Sequence, residues 1–104
     1  MIRLDRPVIV EGKYDKITLE NVIDALIIPT DGFGIFKNPE KTALIRAAAR
    51  EKGVIVMTDS DSAGAVIRAY LKKILGDTEI INVYVPELKG KERRKTKYSK
   101  EGLL

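Results

Sequence analysis

The sequence predicts an open α/β fold: a four-stranded parallel sheet flanked by helices. Two observations predict it. Four apolar, β-branched runs punctuate the 104 residues, and three of them are continuous rather than alternating. A continuous run marks a strand buried on both faces, as in a parallel sheet covered by helices. Helix signals lie between successive runs. The alternation is then β-α-β-α-β-α-β with short, right-handed crossovers.

The first strand is Val8-Ile9-Val10, and Asp15 can cap a helix that reaches about Ile23. The second strand is Ala25-Leu26-Ile27-Ile28. Asn38 followed by Pro39 is a cap and a first-turn proline. The helix they open runs through Leu44, Ile45, Ala47, Ala48 and Ala49, and Gly53 can end it. The third strand is Val54-Ile55-Val56-Met57. The third helix starts near Ser62, and Val66, Ile67, Tyr70, Leu71, Ile74 and Leu75 form one apolar stripe on it. Gly76 lies at its end. The last strand, Ile80–Val85, is stopped by Pro86. Residues 1–86 therefore read as one domain. Residues 87–104 are a polar tail without a period. The ending Gly102-Leu103-Leu104 suggests the first part of a longer protein.

Composition narrows the chemistry. The chain has no His, Cys or Trp. That removes thiol nucleophiles, thiolate or imidazole zinc sites and every His-dependent triad. Carboxylates, Lys, Arg, Tyr, hydroxyls and a hard cation remain. The absence of cysteine suits a reducing cytoplasm. No apolar run approaches the length of a membrane span. The charge is unevenly placed. Residues 1–85 carry 12 basic and 12 acidic side chains, so the net +4 comes from the tail, seven basic minus three acidic. A segment of that kind attracts phosphate chains, and nucleic acid is the usual partner. Tyr98, within the basic tail, is the tyrosine placed to stack on a base.

In an open parallel sheet, ligands bind beyond the carboxyl ends of the strands. Glu11-Gly12-Lys13 follows the first strand, Thr30-Asp31-Gly32 the second, and Asp59-Ser60-Asp61 the third. In an extended segment Asp59 and Asp61 lie on one side. Such carboxylates repel each other, and a divalent cation relieves the repulsion. A strand order of 2-1-3-4 brings Glu11 beside them. Oxygen ligands without His or Cys favour Mg²⁺ or Mn²⁺. Two plainer readings stand beside this one: Asp61 as the cap of the third helix, and Asp15 as the cap of the first. Neither a P-loop nor a dinucleotide fingerprint follows the first strand.

These motifs resemble the Toprim family, whose signature is a glutamate after the first strand and an Asp-x-Asp after the third. Here they are Val10-Glu11-Gly12-Lys13-x-Asp15 and Thr58-Asp59-Ser60-Asp61-x-x-Gly64. The resemblance covers about residues 7–85. It implies a Toprim, Rossmann-like fold and Mg²⁺-dependent phosphodiester chemistry, with Glu11, Asp59 and Asp61 as catalytic residues and metal ligands. Where some members have a third aspartate this chain has Ala63, which leaves one or two ions open. Within the family the chain resembles the endoribonucleases that mature 5S ribosomal RNA, through Gly53–Asp61, Gly64 with Ile67-Arg68, and the basic stretch Gly90–Lys97. That implies a structured RNA substrate, a 5S ribosomal RNA precursor cut in double-stranded regions. A 5S-RNA-binding large-subunit ribosomal protein is a further implied partner, and the chain is either a catalytic-domain fragment whose tail leads to a C-terminal RNA-binding domain or a stand-alone relative. The residues placed to meet nucleic acid are Gly12, Lys13, Gly32, Gly64, Arg68, Lys91, Arg93, Arg94, Lys95 and Lys97.

Other classes compete. One is a Toprim nucleic-acid-binding module without ribonuclease activity, or a DNA-acting relative of the primase or topoisomerase kind. Another is a phospho-acceptor receiver domain. A receiver needs its acidic pair after the first strand and a lysine after a fifth; here the pair follows the third and no fifth strand is visible.

Overall fold

The computed structural model describes residues 1–59 and 61–85. Four strands form the main sheet: β2 (Val8–Val10), β4 (Ile27–Pro29), β5 (Val54–Asp59) and β6 (Ile80–Val85). All pair in parallel, in the order β4-β2-β5-β6. This is the 2-1-3-4 order in which the first and third apolar runs are neighbours. Val10 is level with Met57, so the residue after β2 meets the last residues of β5.

Two small strands, β1 (Ile2–Arg3) and β3 (Ile23–Asp24), form a separate parallel ribbon. At two residues each they carry no readable pattern. They correct the expectation that the first helix reaches Ile23. That helix, α1, spans Lys13–Glu20, and Ile23 instead packs from β3 beneath the sheet. Nor does Asp15 stand at the cap. Gly12 is the N-cap, and Asp15, three residues on, accepts the Gly12 N–H at 3.0 Å. A 3-10 helix, Gly32–Lys37, also lay outside the sequence pattern.

The other helices follow their signals. Asn38 caps α2 (Pro39–Ala49), its side chain accepting the Lys41 N–H at 2.9 Å. Gly53 turns the chain into β5 at φ 85°; a Cβ there would sit 2.5 Å from the Glu79 carbonyl oxygen. Asp61 caps α3 (Ser62–Leu75).

The pleat divides the core. Ile9, Ile28, Val54 and Val56 point toward α2, α3 and the 3-10 helix, against Ile35, Ile45, Ala49, Ile67, Leu71 and Leu75. Val8, Val10 and Ile27 point the other way, where Leu19 of α1, Ile23 and Leu4 meet them. The short α1 covers less of that face, so Ile55 and Met57 are only half-buried. Among the described residues no helix is long and apolar enough to cross a membrane.

Candidate active site

Parallel pairing delivers the carboxyl ends of β2, β4 and β5 to one edge. Glu11, directly after β2, is held there by three contacts. Its carbonyl oxygen accepts the Gly32 N–H at 2.9 Å and the Thr30 hydroxyl at 3.0 Å. Its carboxylate Oε2 accepts the Asp59 N–H at 2.9 Å. Thr30 is fully buried, so its hydroxyl needs a partner, and Glu11 supplies one. The glutamate therefore points across the sheet to the end of β5 rather than out into solvent.

Glu11, Asp15 and Asp59 line a cleft of about 240 Å³ with Val10, Leu19 and Met57 on its walls. Burial, the main cause, pushes the Glu11 carboxyl above the ordinary glutamate value. The negative charges of Asp59, Asp61 and Asp15 push the same way, against the opposing Asp59 N–H bond. The chain thus gathers negative charge where desolvation already disfavours it. An all-oxygen donor set of this charge fits a hard divalent cation. Glu11 and Asp59 both line this cleft. Asp61 is turned aside: its Oδ1 accepts the Gly64 N–H at 2.8 Å as the cap of α3. Among the described residues no three acidic groups are already grouped around one point.

Arg68 reaches this edge from the second turn of α3. One of its Nη1 bonds goes to the Thr58 hydroxyl at 2.6 Å and another to the Asp59 carbonyl at 3.0 Å. Its guanidinium lies 4.5 Å from the centre of the Tyr84 ring. Gly64 lets α3 come this close, since a Cβ there would stand 2.4 Å from the Asp59 carbonyl oxygen. Lys13 is exposed at the start of α1. The edge thus collects Glu11, Gly12, Gly32, Asp59, Gly64 and Arg68. Lys91, Arg93, Arg94, Lys95, Lys97 and Tyr98 lie outside the described residues.

Sequence reasoning missed Lys41. Its Nζ donates to the Pro29 carbonyl at 2.8 Å and to Asp31 at 2.6 Å, fixing the loop that clamps Glu11. Asp31 is left-handed there, at φ 62°. A signal existed: a lysine in the first turn has the wrong sign for the helix dipole, so another group must hold it. A larger groove of about 790 Å³ lies at the opposite edge. Four of its charged residues pair with each other, Arg6 with Glu79 and Lys52 with Asp5, both at 3.1 Å.

With this geometry in view, residues 6–88 match the Toprim domain family. The chain belongs to the Toprim family. Toprim domains generally bind divalent metal ions. The chain is also similar to proteins named Ribonuclease M5. That of Borreliella burgdorferi is 35% identical over 78% of this chain and 44% of the relative. That of Fusobacterium nucleatum is 32% identical over 85% and 46%. That of Clostridium botulinum is 42% identical over 62% and 34%. The chain spans about half the length, or less, of these curated relatives.

Proposed function

We propose that this Toprim domain is the catalytic part of a Mg²⁺-dependent endoribonuclease that acts on a 5S ribosomal RNA precursor. The observation that carries the reading is the Glu11 carboxylate, drawn across the sheet onto the Asp59 N–H within a cleft rich in negative charge. A scaffold protein has no use for a desolvated glutamate among aspartates, because each unneutralised charge costs stability. The relatives' shared name supports ribonuclease chemistry.

Glu11, Asp59 and Asp61 are the residues that would hold the ion. When bound, the ion polarises the scissile phosphate and acidifies a water. Glu11 would serve as a ligand or as the general base that takes a proton from that water. Arg68 and the Gly64 contact keep the Asp59 backbone in place. The tail, with Lys91, Arg93, Arg94, Lys95 and Lys97, grips the RNA backbone and supplies affinity rather than sequence choice. A duplex is recognised mainly by shape. The ribosomal protein that binds 5S RNA is a partner that would shape the substrate.

The test is cleavage of a 5S precursor transcript, with a DNA duplex of the same sequence as control. Cleavage requires Mg²⁺ or Mn²⁺ and is lost in Asp59→Asn, whose circular dichroism stays that of the parent. Metal-independent cleavage, or full activity in Asp59→Asn, overturns the proposal.

A further inference from the structure

Phe33 and Phe36 form an aromatic stack on the surface, and neither core group includes them. Their rings lie 5.6 Å apart and 16° from parallel. Phe36 is backed by Tyr70 of α3, edge to face at 4.7 Å. Phe33 is the outer member and is 53% exposed. The 3-10 helix does not need Phe33 for anchorage, since Ile35 between the two rings is fully buried. Tyr14 and Leu26 are at least as exposed, so it is the ring-on-ring stack and its location that set Phe33 apart.

That location says what the stack would meet. Gly32, the residue before Phe33, donates its N–H to the Glu11 carbonyl oxygen. The stack therefore begins one residue from the group that clamps Glu11, at the sheet edge where ligands bind. The segment Gly32–Pro39 contains no acidic residue and carries Lys37. Asp31, just before it, is paired with Lys41. An exposed aromatic face at the edge where a substrate phosphate would lie suits a nucleobase on that chain.

We propose that Phe33, supported by Phe36 and Tyr70, is a stacking platform for one unpaired base of the RNA next to the cleavage site. This rests on the ribonuclease reading above. The base adds itself as the next layer on the outer face of Phe33. A duplex whose bases stay stacked cannot use that face, so the platform selects substrates with a bulged or terminal base near the cut. This differs from the tail, which favours any phosphate chain.

The absence of tryptophan provides a direct probe. Phe33→Trp places a single indole in the chain. Titrated in chelator with a short single-stranded RNA, its fluorescence is expected to be quenched to saturation. A blunt RNA duplex should quench weakly and inorganic polyphosphate not at all. Phe33→Ala should weaken single-strand binding by about 5- to 100-fold, read by anisotropy, while leaving duplex binding unchanged. Phe33→Trp should bind as well as the parent, which controls for folding. Single-strand binding without quenching, or unchanged binding in Phe33→Ala, overturns the platform and leaves the ribonuclease proposal standing. Quenching by polyphosphate alone also overturns it, as does a parent chain that binds no RNA. That last outcome removes the ribonuclease reading too.

Discussion

Replacing Gly64 with alanine sets two effects of opposite sign against each other. Helix propensity favours alanine over glycine by about 1 kcal/mol in a helix interior. The tertiary contact opposes it. The new Cβ would stand 2.4 Å from the Asp59 carbonyl oxygen, and ordinary contact begins near 3.4 Å, so α3 and β5 must separate by about 1 Å. The obstacle is backbone, which a rotamer change cannot move aside. Overpacking of this kind costs about 1–3 kcal/mol. The same oxygen accepts the Arg68 bond at 3.0 Å, and weakening that charge-assisted bond adds about 1 kcal/mol. The contact wins, with a net loss of about 2 kcal/mol. For a domain of this size that lowers the melting temperature by roughly 8–16 °C. Gly34→Ala is the control, because its Cβ meets nothing closer than 3.5 Å, from the Asp31 Cβ. It should melt within about 0.5 kcal/mol of the parent. The assay is thermal unfolding by circular dichroism in chelator. A Gly64→Ala chain that melts at or above the parent refutes the close approach of α3 to the end of β5.

Arg68→Met leaves the buried Thr58 hydroxyl without its donor and should cost about 2–4 kcal/mol in urea unfolding, with Arg68→Lys recovering part of it. Glu11 gives a pH signature. Its folded pKa is raised, so the folded state holds this proton more tightly than the unfolded chain does. The advantage is complete below the ordinary glutamate value, near about 4.3, and is lost as pH rises through the higher folded value. In chelator, Glu11→Gln should therefore gain melting temperature over the parent progressively across that window. In Mn²⁺ the order should reverse, because only the parent is stabilised by the ion. Asn38→Ala removes the cap of α2 and should cost about 1 kcal/mol without changing metal binding. Neutralising Arg93, Arg94 and Lys95 together should flatten the salt dependence of RNA binding by about two to three units of log–log slope; an unchanged slope would remove the tail from the interface.

The amino-acid sequence by itself determined the elements that carry the edge. Val8-Ile9-Val10 and Val54–Met57 are apolar on successive residues, as a strand between two layers is, and Asn38-Pro39 is a helix-start signal. Those signals are local, because neighbouring residues generate them. They also located Glu11 and Asp59 at strand ends. Tertiary structure decided what those residues do there. Glu11 meets Asp59 because β2 and β5 pair in register, 48 residues apart in sequence. The Arg68 clamp, the Lys41 latch and the packing of Tyr70 against Phe36 depend likewise on distances between separate segments, whereas the Asp61 cap is local and was legible. A linear pattern records which side chains a segment owns. Which backbone amide, carbonyl or ring each one reaches is fixed only when the sheet closes and burial forces every polar group near its edge to find a partner.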